Sequence, residues 1–275
     1  MTWRIGLATG CCSHHHILEV LDAADAAGFT GIEIGTPPGH FAPGADEDVD
    51  AVEHRLKRLR CVPVSMHAPF GGAFDLAHDD AHRRAAVVQS HLAAARVLKR
   101  LGGSILVVHP TDHVRADHDI SPRLEAAAEA LRQLTAAASG LGVTIAIETP
   151  LPHLIGGNPE EFERILRHVG PDARVCLDTG HTFLGGLTQR FIELAGARLA
   201  HVHAHDNHGR YDDHLTPGDG AIDWATVRES LSAVGYQGWL VLELKCPGTS
   251  MADYFGRARH RLEELVTPLP FRNEW

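Results

Sequence analysis

Six side chains of related chemistry recur at similar places in this 275-residue chain: His67, His109, Glu148, Asp178, His203 and Glu243 each close a short apolar run. Imidazole and carboxylate are common ligands of divalent cations. One such residue at the end of a strand is commonly a helix cap or a satisfied surface group. Burying six costs several kcal/mol each unless they are paired or metal-bound, so together they call for a shared positive charge. Groups of the same kind follow in the intervening segments. His181 stands three residues after Asp178 in LDTGH, and Asp212 and His214 form an Asp-x-His pair in YDDHLTPGDG, with Asp213 as an alternative to Asp212. Glu33, near the end of another apolar run, is a further candidate, either a substrate contact or a structural ion pair. His201 and His205 share the parity of His203; His201 reads as a hydrogen-bonded interior residue, and His205 as support for a ligand or a substrate-facing group. His14, His15 and His16 either line the mouth or are solvated, with solvation the preferred reading, and the total of 21 histidines makes metal the first chemistry to test.

These residues need elements to position them. Apolar, β-branched runs fall at residues 3–9, 31–35, 62–67, 104–109, 143–148, 173–178, 198–203 and 238–243. Their near-continuous apolar character suits a parallel sheet covered on its outer face. Stretches with helical spacing separate them, the clearest at 78–101 and 121–141. Asn158-Pro159-Glu160-Glu161 and Ser121-Pro122 read as capped helix starts, while Gly102, Gly140, Gly142 and Gly170 read as stops. Eight βα units in about 250 residues is the usual size of a (β/α)8 TIM barrel. With no linker or low-complexity segment, the expectation is a single barrel domain over residues 1–275. An open doubly wound sheet is the rival, but its strand ends lie in a row, about 4.8 Å apart per strand, and would not converge on one cation.

Composition narrows the partners. A hydrophobic share of 44% and a charged share of 22% exclude disorder and coiled coil as overall descriptions. The net charge of −10 has the wrong sign for gaining affinity from nucleic-acid phosphates or anionic lipid. The five cysteines are odd in number and form no C-x-x-C, which suits a reducing cytoplasm. No signal-peptide core and no run of 18 apolar residues is present, so no membrane partner is expected.

The ordered motifs HAPF (67–70), Asp75-Leu76, Leu101-Gly102, VVHP (107–110), IETP (147–150), CLDTGH (176–181), HAHDNHG (203–209), DDHLTPGDG (212–220) and LVLE (240–243) run through the whole chain. On them the chain resembles the xylose isomerase-like barrel superfamily, which includes sugar and sugar-phosphate isomerases and epimerases and the endonuclease IV-type apurinic endonucleases. The resemblance to the epimerases implies one divalent metal held by Glu148, Asp178, His203 and Glu243, with the two glutamates also moving protons. The endonuclease-like pattern implies further metals, up to three in all, through His67, His109, His181, Asp212 and His214. Manganese, magnesium, cobalt and zinc all accept such a shell. A departure is Thr149 after Glu148, where the pattern leads one to expect Asn.

The small Gly71-Gly72-Ala73 after HAPF and the negative charge, which three divalent ions would not cancel, place the chain nearer the isomerase branch. The expected reaction is proton transfer next to the carbonyl of a sugar or sugar phosphate, with Glu148 removing a proton and Glu243 returning one. A metal-assisted hydride shift is the other route, and would leave the glutamates as ligands only. His181, His205, Arg210, Lys245 and Glu33 are the expected substrate contacts. The alternative activity is an endonuclease IV-type phosphodiesterase on abasic DNA; a homo-oligomer is compatible with either.

Overall fold

The computed structural model describes residues 3–115, 119–246 and 250–267, so both ends of the expected 1–275 domain extend beyond them. Eight strands follow the expected positions to within one residue: β1 (Arg4–Ala8), β2 (Gly31–Ile34), β3 (Val62–His67), β4 (Ile105–Val108), β5 (Thr144–Glu148), β6 (Arg174–Asp178), β7 (Leu199–Ala204) and β8 (Trp239–Leu242). All pair in parallel in sequence order, and β8 closes onto β1 through Arg4–Trp239 to Leu7–Leu242. The open sheet is thereby excluded.

The helices are α1 (Ile17–Ala26), α2 (Asp46–Leu56), α3 (Ala81–Arg100), α4 (Ser121–Ser139), α5 (Pro159–Val169), α6 (Thr179–Leu184), α7 (Thr188–Ala195), α8 (Trp224–Ala233) and α9 (Met251–Val266). The described residues thus hold nine, not eight, because the sixth βα connection carries the short α6 ahead of α7. Asn158 caps α5 as expected, accepting from the Glu161 amide at 2.9 Å. Ser121 does not cap α4. It is the first helical residue, and its amide donates to Asp119 Oδ1 at 2.9 Å, where a carboxylate is the stronger acceptor at a helix's positive end. Gly102 and Gly170 end α3 and α5 with φ of +95° and +101°, a backbone region costly for any residue with a Cβ.

Strand alternation sorts the core into two parts. Outward residues such as Leu7, Ile32, Met66, Leu106, Ile147, Leu177, Val202 and Leu242 pack beneath the helices in one large apolar cluster. The inward set is smaller: Ala8, Val64 and Val241 with Trp239 in one group, and Val107, Ala146 and Cys176 with Ile105 in another. Barrel interiors are usually filled by bulky branched residues. Here small side chains leave room for fully buried polar ones, including His201, His203 and Ser65. Among the described residues no helix is long and apolar enough to cross a membrane.

Candidate active site

The six strand-end residues converge at the C-terminal mouth of the barrel. His67, Glu148 and Asp178 are the last residues of their strands, His203 is the penultimate one of β7, and His109 and Glu243 stand one residue past β4 and β8. Glu148 lies at the centre. Its Oε2 is 3.0 Å from His67 Nε2 and from His109 Nε2, while its Oε1 is 3.3 Å from His203 Nδ1 and 3.7 Å from His181 Nδ1. His203 Nδ1 also faces Glu243 Oε2 at 3.3 Å and Asp178 Oδ2 at 3.8 Å.

A second group adjoins the first. Asp212 Oδ2 lies 3.3 Å from His181 Nε2 and 3.1 Å from His214 Nε2, and His205 Nε2 donates to Asp178 Oδ1 at 2.9 Å. Asp213 turns away and accepts from the His208 amide at 3.3 Å, so Asp212 is the carboxylate of the pair. His14 and His16 are exposed and His15 pairs with Glu19, as expected of solvated residues.

Local bonding explains the placement. Asp178 doubles as the cap of α6, accepting from the His181 backbone amide at 2.7 Å, which fixes residue 181 in the first turn beside the mouth. Thr149, at the departure from the family pattern, accepts from the Asp178 amide through Oγ1 at 2.9 Å, and its carbonyl accepts from His181 Nδ1 at 3.0 Å. Asp112 ties the His109 loop to the HAPF loop, 3.2 Å from His109 Nδ1 and accepting from the Gly71 amide at 2.8 Å. The sequence reading passed over Asp112, although a carboxylate three residues after a histidine was visible in it. His214 has a φ of +49°, a left-handed strain of about 1 kcal/mol or more held by its Nδ1 bond to the Glu243 carbonyl at 2.9 Å.

The charges reinforce one another. Burial alone would raise the Glu148 carboxyl, but His109 and His203 override it and hold the group ionised well below its usual range. Asp178 is likewise lowered against burial by His181 and His205, and Asp212 against burial by His181 and His214. On the imidazole side, burial opposes the proton while Glu148 and Asp112 carry His109 up to about 10. His181 is pushed up to about 9, against burial, chiefly by Asp178 and Asp212.

The donors fit a divalent cation. His67, His109 and Glu148 bring three ligand atoms within 4.8 Å of one another, as do Asp178, His181 and His205, and His205, Asp212 and His214. The test lies in two buried atoms. With its Nε2 hydrogen committed to Asp178, His205 Nδ1 offers a lone pair toward Asp212 Oδ1 at 3.8 Å, and among the described residues neither atom has a hydrogen-bond partner. Buried polar atoms are almost always satisfied, and two acceptors facing each other are a gap that a cation closes.

Of the other expected contacts, Glu33 borders the cavity at the mouth, while Arg210 and Lys245 lie apart. Glu33 is buried, with Oε2 3.0 Å from His201 Nε2. Arg210 is exposed, its guanidinium stacked 5.0 Å from the Tyr211 ring, and Lys245 is exposed, its amide donating to the His214 carbonyl at 3.1 Å. A cavity of about 260 Å³ opens beside Glu243, bordered by Cys11, His67, Phe70 and His214. Phe70 is 52% exposed with its ring 4.9 Å from those of His67 and His109; the sequence reading gave it no role, since an apolar residue announces nothing until its exposure is known.

Comparison with known proteins follows the same lines. An uncharacterised Methanocaldococcus jannaschii protein is 28% identical over 193 residues, 67% of this chain and 65% of its own length. An uncharacterised Sinorhizobium fredii protein is 31% identical over 289 residues, covering 91% of this chain and 89% of its own. In fold, a D-tagatose 3-epimerase-like protein superposes with a TM-score of 0.82 at 23% identity, covering 96% of this chain and 98% of the other. An L-ribulose 3-epimerase does so at 0.81 and 20%, covering 96% and 94%. The sequence profile of the xylose isomerase-like TIM barrel family matches residues 21–265, and with the closed barrel and its strand-end acids and histidines in place, the chain belongs to that family.

Proposed function

We propose that the protein is a divalent-metal-dependent isomerase or epimerase of sugars, transferring a proton at the carbon next to a carbonyl. The observation that carries this reading is that Glu148 Oε1 and Glu243 Oε2, from strands three apart in the barrel wall, both lie 3.3 Å from His203 Nδ1 beside a sugar-sized cavity. Glu148, Asp178, His203 and Glu243 would hold the cation. A bound divalent cation would polarise the substrate carbonyl and acidify the adjacent C–H.

The remaining work falls to the chain. Glu148, kept ionised, accepts the substrate proton, and Glu243, the more accessible of the two, returns one at the other face or at the neighbouring carbon. The roles exchange with the direction of reaction. Phe70 covers one side of the cavity, where its ring offers an apolar wall to a sugar's C–H face. Among the described residues no lysine or arginine lines that cavity, which favours a free sugar over a sugar phosphate. His181, Asp212, His214 and His205 form the place for a second cation. The structural likeness to 3-epimerases supports a ketose as substrate.

The test is a panel of ketoses and their phosphates incubated in deuterated buffer with Mn2+ restored after chelation, read by NMR exchange of the C–H next to the carbonyl. The wild type is expected to exchange a free ketose, and Glu148→Gln to lose at least about 100-fold of that rate. Exchange unchanged by Glu148→Gln removes it as the base. Nicking of an abasic duplex without sugar exchange would place the activity with the phosphodiesterases instead.

A further inference from the structure

Glu33, expected as a substrate contact or a structural ion pair, pairs with two buried histidines and borders the cavity. Its carboxylate, 1% exposed, is turned beneath the mouth into the polar layer of the barrel interior. Oε2 accepts from Ser65 Oγ at 2.7 Å and lies 3.0 Å from His201 Nε2, while Oε1 lies 3.0 Å from His203 Nε2. The two nitrogens of His203 therefore face opposite worlds. Nδ1 looks up at Glu148, Glu243 and Asp178, and Nε2 looks down at Glu33.

We infer that Glu33 is a positioning residue: it fixes the His203 ring from the side away from the cation and thereby sets the affinity of the site for a divalent metal. The inference rests on the proposed function, in which His203 is a ligand. The nitrogen of a ligating imidazole that is free of metal ordinarily meets a carboxylate or carbonyl, which sets the tautomer and raises ligand basicity. The Nε2 contact to Glu33 is an ion-pair distance with an angle short of a good hydrogen bond, so its effect is first electrostatic: it places the ring's positive end at Nε2 and leaves Nδ1 as the donor to metal.

The surroundings support this assignment over a purely structural one. The inward apolar residues are Ala8, Val64 and Val241 with Trp239, and Val107, Ala146 and Cys176 with Ile105, none of which offers His203 Nε2 a charged partner as Glu33 does. Glu33, Ser65 and His201 together occupy space that apolar residues commonly fill at equal or lower free energy, so stability alone does not explain a buried acid here. Three strands hold the carboxylate, with Glu33 opposite Ser65 in the β2–β3 register and both histidines on β7.

The experiment measures Mn2+ binding by titration calorimetry on the full chain after chelation, for the wild type and for Glu33→Gln, which keeps shape and removes charge. Glu33→Gln is expected to bind about 10- to 100-fold more weakly. Equal affinity overturns the inference, as does a Glu33→Gln protein that changes only KM for the sugar, which would make Glu33 a substrate contact. A wild type that takes up no Mn2+ overturns the proposed function together with this inference, so the two failures are distinguishable. Because the variant depends on folding, the wild type supplies a second reading: NMR of 15N-histidine-labelled protein loaded with Zn2+ should show His203 ligated through Nδ1 and protonated at Nε2. Ligation through Nε2 overturns the inference without any substitution.

Discussion

Asp212 and Asp213 carry the same carboxylate one residue apart, yet Asp212 reaches His181, His205 and His214 at 3.3, 3.8 and 3.1 Å while Asp213 serves a backbone amide. Sequence spacing named the pair and left the choice open, because adjacent side chains in an extended loop point to opposite sides and nothing local says which side is the barrel axis. The consequence is measurable. Asp212→Asn should lower the number of divalent ions retained after dialysis, counted by elemental analysis, whereas Asp213→Asn should retain as many as the wild type. Loss of equal size in both variants would mean that the second cation place is not where the orphaned Asp212 Oδ1 puts it. Glu148 makes the same point about type and orientation. Its identity as a buried acid was legible, but its division of labour, one oxygen for His67 and His109 and the other for His203, is a fact of side-chain geometry.

At the level of elements, the loop from β7 to α8 does most to complete the site, since it carries both Asp212 and His214. Asp206 organises it: fully buried, it accepts from the amides of Gly218 at 2.9 Å and Ile222 at 3.0 Å and from Trp224 Nε1 at 2.9 Å. Hydrogen bonds to a charged group contribute about 1.5–3 kcal/mol each, and an unsatisfied buried donor costs about 1–3. Asp206→Ala should therefore destabilise the protein by about 3 kcal/mol or more and expose residues 207–222 to proteolysis in the native state. A change in denaturation midpoint smaller than about 1 kcal/mol would show that the loop is held by other contacts. The sequence read the strands well because a two-sided buried strand is continuously apolar, and it missed α6 because six residues are too short for helical periodicity to register.

For the whole molecule, the acids of the metal-free site are paired with imidazoles, two of which, His109 and His181, are held protonated by them. His109 at about 10 and His181 at about 9 lie above the ordinary value near 6.5, so their protons bind the folded state more tightly than the unfolded one. That stabilisation is fully present below about pH 6.5 and is lost as pH rises toward 9–10. The melting temperature of the chelated protein should fall across pH 7 to 10, and a divalent cation, which takes the place of those protons, should flatten the fall. A chelated melting temperature that is flat or rising over this window would contradict the pairing scheme. The sequence by itself determined the eight βα units, the kind of chemistry and most of its donors, because apolar periodicity and side-chain type are local properties. Only the tertiary structure decided that the sheet closes, that Glu148 and Glu243 meet at one nitrogen, that Glu33 stands behind His203 and that Asp212 rather than Asp213 faces the site. Those are relations between strands brought together by barrel closure, and neither closure nor the direction a side chain takes at a strand's end is encoded in spacing along the chain.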